Sequence, residues 1–266
     1  MLFTIGVDPL AAQPDSLLAT RLFRSFDNSI VDFTTDNLGN IFLLYSSGQI
    51  KKLNENGDSV AIFNDVKKHG KIYSIDATNP LKILVYYKDF STIVVLDRLM
   101  NVRNTIDLRR QNIFQVRAIT SAYDNNIWLY DELESKIKKI DENGNVLLQT
   151  SDFRQLYDSV PTPQVMYDRD GQLYLYDPLK GLLIFDYYGA QRSNIALKGV
   201  ADLLVINRDF ITGRQAERFL FYKPSSLQLS YYKTSLPMSA IKKIRFSSGR
   251  LFALTNSGAF QIFHTN

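Results

Sequence analysis

Two octapeptides constrain this chain more than any other feature of its sequence. Ile50–Gly57 reads Ile-Lys-Lys-Leu-Asn-Glu-Asn-Gly, and Ile137–Gly144 reads Ile-Lys-Lys-Ile-Asp-Glu-Asn-Gly. The copies begin 87 residues apart (50 and 137). That is about twice the period of a repeat unit of roughly 40–45 residues. An echo at two periods predicts a unit in between, and a chain built of several such units.

The unit is visible as a short apolar-aromatic segment that recurs six times. The copies are Ile41-Phe-Leu-Leu-Tyr45, Ile83-Leu-Val-Tyr-Tyr87, Ile127-Trp-Leu-Tyr-Asp131, Leu173-Tyr-Leu-Tyr-Asp177, Phe219-Leu-Phe-Tyr-Lys223 and Leu251-Phe-Ala-Leu-Thr255. They begin at residues 41, 83, 127, 173, 219 and 251, in steps of 42–46 residues until a last step of 32. Side chains that are apolar on both faces of a strand require cover on both sides. Each copy follows a similar strand: Ile30–Phe33, Ile72–Ile75, Val116–Ile119, Gln164–Tyr167, Leu203–Ile206 and Ile241–Phe246. Asp36-Asn-Leu-Gly-Asn40 and Arg169-Asp-Gly171 join two of these pairs with residues that accept a left-handed backbone. A third strand follows within about ten residues, and Asn-Gly at 56–57 and 143–144 then turns the chain into a fourth.

Four strands joined by successive hairpins make a propeller blade. The predicted fold is therefore all-β: a six-bladed β-propeller over residues 15–266. The last blade reaches the end of the chain at Phe263–Asn266 without a fourth strand, while Leu17–Phe26 is strand-like and precedes the first complete blade. Donating that N-terminal strand to the last blade closes the ring and removes two exposed edges. The fifth blade fits least well. Asn207–Arg218 reads as an insertion that expands its first hairpin, a second docking element on the opposite face, and little chain remains after Tyr232 for a fourth strand. Residues 1–14 read as the remnant of a secretory signal or as a disordered N-terminus; Asp8-Pro9 interrupts the apolar stretch and no Lys or Arg precedes it.

The Ile/Leu-aromatic-Leu-Tyr strands, the Asp/Asn-Gly turns and the Lys-Ile-Asp-Glu-Asn-Gly hairpin resemble the NHL-repeat type of six-bladed propeller, common among secreted and periplasmic bacterial proteins. The resemblance lies in the repeat grammar of nearly the whole chain. It implies the fold, and a periplasmic or secreted location, without implying a particular activity.

Composition narrows the function by exclusion. The net charge is only +4 and the basic residues are scattered, which argues against a nucleic-acid surface. No Cys is present, so neither disulfides nor thiol metal sites arise, and no apolar run approaches the length of a membrane span. The single Trp128 lies inside a strand, away from any sialidase-type Ser-x-Asp-x-Gly-x-Thr-Trp turn. His69 and His264 are far apart, no lactonase-type Glu/Asn/Asp set can be placed residue by residue, and no Gly-x-Ser-x-Gly elbow occurs. Asp32, Asp76 and Asp202 lie on or beside innermost strands, where they reach the channel or bond to their own hairpins. The expectation is no catalytic residue, no metal and no cofactor. A channel-site hydrolase or lyase of the lactonase-like type is the alternative.

What remains is surface. The loops entering each blade share one face with the turns between second and third strands. Lys88, Arg109, Arg110, Phe153, Arg154 and Tyr157 are the expected binding residues there, because Arg and aromatic side chains dominate binding hot spots. The predicted function is a non-enzymatic scaffold that docks a protein or glycan partner, such as a cell-envelope complex, and is otherwise monomeric.

Overall fold

The computed structural model describes residues 16–26, 29–64, 69–247 and 249–265. The N-terminal expectation for residues 1–14 lies outside them. The described chain is all-β apart from four single turns of 3-10 helix, and no described helix is long and apolar enough to cross a membrane. After β1 (Ser16–Leu18) and β2 (Thr20–Phe26), blade one comprises β3 (Ile30–Thr35), β4 (Ile41–Tyr45), β5 (Ile50–Leu53) and β6 (Ser59–Phe63). Blade two comprises β7 (Ser74–Asn79), β8 (Lys82–Tyr87), β9 (Thr92–Leu96) and β10 (Val102–Asp107). Blade three follows with β11 (Val116–Ser121), β12 (Ile127–Asp131), β13 (Lys136–Ile140) and β14 (Val146–Gln149). Blade four holds β15 (Val165–Arg169), β16 (Gln172–Asp177), β17 (Gly181–Phe185) and β18 (Gln191–Ile195). Blade five holds β19 (Ala201–Asn207), β20 (Phe210–Gln215), β21 (Arg218–Lys223) and β22 (Gln228–Thr234). Blade six holds β23 (Ile241–Ser247), β24 (Arg250–Thr255) and β25 (Phe260–Thr265).

The predicted closure is present. β2 pairs antiparallel with β25, from Thr20 opposite Thr265 to Phe26 opposite Phe260, and supplies the fourth strand of blade six. The N-terminal segment does more than the sequence suggests: β1 adds to blade five as a fifth strand, parallel to β22, with Ser16 opposite Tyr232 and Leu18 opposite Thr234. One short segment thus holds the outer edges of two neighbouring blades.

The core follows from the repeat. Buried side chains form six clusters, one between each pair of adjacent blades. The cluster between blades one and six joins Phe33, Ile41 and Leu53 to Phe252, Phe260 and Ile262. Second strands sit between two such clusters, which is why every residue of β8 and β12 is buried. Each Leu, Ile or Phe so buried contributes about 1.5–3 kcal/mol. The octapeptide echo is the third strand plus an Asx turn. The Asn54 side-chain oxygen accepts the amides of Asn56 and Asp58 at 3.0 and 2.8 Å, and Asp141 accepts those of Asn143 and Asn145, both at 2.8 Å. Gly57 and Gly144 carry the positive φ that closes these turns, +83° and +88°.

Blade five corrects the sequence reading. Asn207–Arg218 is no insertion: it contains β20, the regular second strand, paired with β19 and β21. Phe219–Lys223 is the third strand and Gln228–Thr234 the fourth. Second strands consequently begin at 172, 210 and 250, so steps of 38 and 40 residues replace the irregular 46 and 32. The misreading arose because β20 carries Thr212, Gly213 and Arg214 where other second strands are apolar. Gly213 is required by packing, since a Cβ there would stand 2.3 Å from Val200 Cγ1.

Candidate functional site

The face that carries the blade-entering loops has a continuous, hydrogen-bonded rim over blades two to four. Leu108 N–H donates to Ser91 O at 3.0 Å, and the Ser91 hydroxyl donates to Phe114 O. Glu132 N–H donates to Gln115 O at 2.8 Å, and Phe153 N–H to Ser135 O at 2.9 Å. Turns and loops of successive blades are thereby tied into one strip of backbone. Phe90, Phe114, Leu133 and Leu156 project from this strip and are 42–58% exposed. Leu179, on the next turn, is more exposed still. Over blades five, six and one the corresponding turns carry Ala216-Glu217, Asn256-Ser257-Gly258 and Ser46-Ser47-Gly48, so among these turns the exposed Phe and Leu side chains lie over blades two to four.

The predicted binding residues divide by environment. Arg110 is exposed on the rim. Lys88 is nearby, its ammonium 5.0 Å from the Tyr73 ring and 4.0 Å from Glu132. Arg109 and Arg154 occupy equivalent places in successive loops. Each folds back on the Asp two residues before it through paired hydrogen bonds: 2.8 and 2.9 Å from Arg109 to Asp107, 2.9 and 2.6 Å from Arg154 to Asp152. The same carboxylates cap single helical turns by accepting the Arg109 and Arg154 amides. The Arg109 hydrogen bonds hold the Asp107 carboxyl below its usual value, and Arg154 does the same to Asp152. Both arginines are about half exposed and keep free donor edges. Phe153 does not reach the surface. It is fully buried, its ring 5.2–6.0 Å from those of Tyr130, Tyr157 and Phe185, in the core between blades three and four. Tyr157 is half-buried with its hydroxyl on Gln191, and burial pushes its phenol up to about 12. Leu133 and Leu156 were not legible as site residues. The available signal was a large apolar residue in a turn, where polar chemistry is the rule.

The innermost strands surround a central cavity of about 400 Å³. β-Bulges recur where these strands leave the loop face, between Ile30 and Asp32, Val116 and Ala118, and Ile241 and Lys243. A bulge re-aims the side chains beside it, and Asp32, Arg117 and Lys243 all line the cavity. The three carboxylates singled out by sequence do not combine. Lys243 donates to Asp32 at 2.6 Å, and Arg214 pairs with Asp202 at 3.2 Å. Asp76 accepts the Ser121 amide at 2.7 Å and the Thr78 hydroxyl at 2.6 Å. Burial raises the Asp202 carboxyl above its usual value against the pull of Arg214, and burial lowers the Lys243 ammonium against that of Asp32.

No family model matches the chain, and no curated protein matches it in sequence. Solved structures do match. The chain is similar to streptogramin B lyase at 14% identity, over 89% of this chain and 79% of that one, with a TM-score of 0.59. It is similar to selenomethionine-substituted virginiamycin B lyase from Staphylococcus aureus at 12% identity, over 92% and 88%, with a TM-score of 0.59. A structure of the mitotic checkpoint complex matches at 10% identity over 99% and 98%, with a TM-score of 0.56. Likeness at such identities shows the fold alone; the six blades are seen in this chain's own six sheets.

Proposed function

We propose that this propeller is a binding module that docks a protein partner through the rim over blades two to four. The observation that carries this reading is the rim itself: a hydrogen-bonded strip presenting Phe90, Phe114, Leu133 and Leu156 beside Lys88, Arg109, Arg110 and Arg154. Apolar anchors on rigid backbone bind with little loss of conformational entropy, and flanking guanidiniums add oriented donors. On the opposite face Leu38 and Leu99 each stand on the tip of a separate Asx turn, and Tyr123 stacks on Tyr187 at 4.5 Å. The NHL-like repeat grammar and the likeness to a structure of the mitotic checkpoint complex are in keeping with a binding role. The channel carboxylates, each taken up by its own partner, give a hydrolase or lyase reading no comparable support.

In its specific form the partner belongs to a cell-envelope complex, a reading supported by the apolar Met1–Gln13 stretch and tested by fractionating the native cells. The docking itself is tested by capture from those cells with tagged protein. A stoichiometric partner is expected with the native chain and with a Leu38→Ser/Leu99→Ser control, and is expected to be lost with Phe114→Ser/Leu133→Ser/Leu156→Ser. Retention by the rim variant overturns the reading.

A further inference from the structure

The central cavity keeps two cations that form no salt bridge with a carboxylate among the described residues. At its loop-face end the charges are paired: Lys243 with Asp32 at 2.6 Å and Arg117 with Glu132 at 2.6 Å. Beside it, Arg214 takes Asp202 at 3.2 Å. Deeper in, Arg245 donates only to the neutral Thr34 hydroxyl at 3.0 Å, and its Nε is buried without a hydrogen-bond partner among the described residues. Arg169 donates to a backbone carbonyl, that of Asp168, at 3.0 Å. Of the two carboxylates lining the cavity, Asp32 is taken by Lys243 and Asp76 already accepts from Ser121 and Thr78, while Asp202, which Arg245 feels only at a distance, is held by Arg214. Two half-buried guanidiniums therefore lie in one space with most of their donors unused. Uncompensated like charges away from bulk water are costly, and a guanidinium fork matches an oxyanion in two hydrogen bonds. The cavity volume of about 400 Å³ falls in the roughly 300–1,000 Å³ range of small-molecule sites.

We propose that the channel binds a small molecule through an oxyanion, a carboxylate or phosphate group held by Arg245 and Arg169. The Tyr167 side chain walls the same space, with its hydroxyl committed to Leu203 O at 2.7 Å, so it shapes the site without competing for the anion. The site is separate from the rim, and either can exist without the other.

Calorimetric titration of the full chain with inorganic phosphate, and separately with succinate, tests this. One-to-one binding of at least one probe is expected, weakened about ten-fold or more in both Arg169→Gln and Arg245→Gln, the worth of one charge-assisted hydrogen bond. Lys242→Gln, an exposed change three residues before Arg245 on β23, is expected to bind as the native chain does. Binding of phosphate alone identifies a phosphate ligand, and binding of succinate alone a carboxylate. Circular dichroism establishes that each variant is folded; the two arginines stand on different blades, so one variant suffices if the other does not fold. The proposal is overturned if neither probe gives heat at millimolar concentration, if folded Arg169 and Arg245 variants bind like the native chain, or if Lys242→Gln loses as much.

Discussion

The Tyr176 hydroxyl accepts the Val200 amide at 2.7 Å, so blade four holds the backbone that enters blade five. The contact repeats in blades two and three. Tyr86 accepts the Val116 amide at 3.3 Å, and Tyr130 donates to Pro161 O at 2.7 Å. Each of these tyrosines is the fourth residue of the apolar-aromatic segment that marks the repeat. The Tyr in that pattern is thus an inter-blade clamp as well as a core residue. Changing Tyr176 to Phe leaves a buried amide without its acceptor, which costs about 1–3 kcal/mol. A fall of several degrees in Tm is expected by calorimetry; an unchanged Tm would mean that the clamp contributes nothing.

Two of these tyrosines, with Tyr174, set the alkaline limit. Burial pushes the phenols of Tyr86, Tyr130 and Tyr174 up to about 12, from an ordinary value of 10.0. Below pH 10 they are neutral in both folded and unfolded chains, and stability is insensitive to them. Above it the unfolded phenols ionise while the folded ones keep their protons, so stability falls from about pH 10 to pH 12. Tm measured at intervals from pH 8 to 11.5 should be level and then drop. A Tm that rises above pH 10 would contradict the assignment.

Phe153 and Arg154 are neighbours with opposite expectations. Phe153→Ala empties a fully buried aromatic site and should cost about 3–5 kcal/mol. Arg154→Ala removes a solvent-screened surface ion pair to Asp152 and should leave stability nearly unchanged. Urea unfolding of the two variants separates these outcomes, and similar losses would mean that the loop is packed otherwise.

Removing residues 1–26 takes away β1 and β2, exposing the outer edges of blades five and six at once. Leu18 and Phe26, which pack on the adjoining cores, leave with them. Loss of two apolar side chains and a full strand pairing is expected to cost at least about 4 kcal/mol. Thermal unfolding of the truncated chain at the native Tm would refute closure by this segment.

The fold was legible because the repeat places the same physical demand on the sequence six times. Residues such as Ile83–Tyr87 must be apolar on both faces, and Asn-Gly pairs must turn the hairpins. Blade five escaped because Thr212, Gly213 and Arg214 break the apolar run of its second strand, and the next strand, Phe219–Tyr222, imitates the missing one. The added role of Ser16–Leu18 was hidden for another reason: three residues in a parallel edge pairing leave no periodic signature. At the candidate site, sequence located the loops and the arginines. It could not separate Phe153, which turns inward, from Phe114, which turns outward, because both are aromatic residues in blade-entering loops. Nor does sequence reveal that Arg245 ends beside a threonine while Lys243, two residues earlier, finds Asp32.

The most direct test of the docking reading places a photo-crosslinking residue at position 114 on the rim, or at position 99 on the opposite face, in the full chain within its native cells. The account predicts a discrete crosslinked partner from position 114 and none from position 99. A partner captured from position 99 alone would move the interface to the opposite face and contradict the central claim.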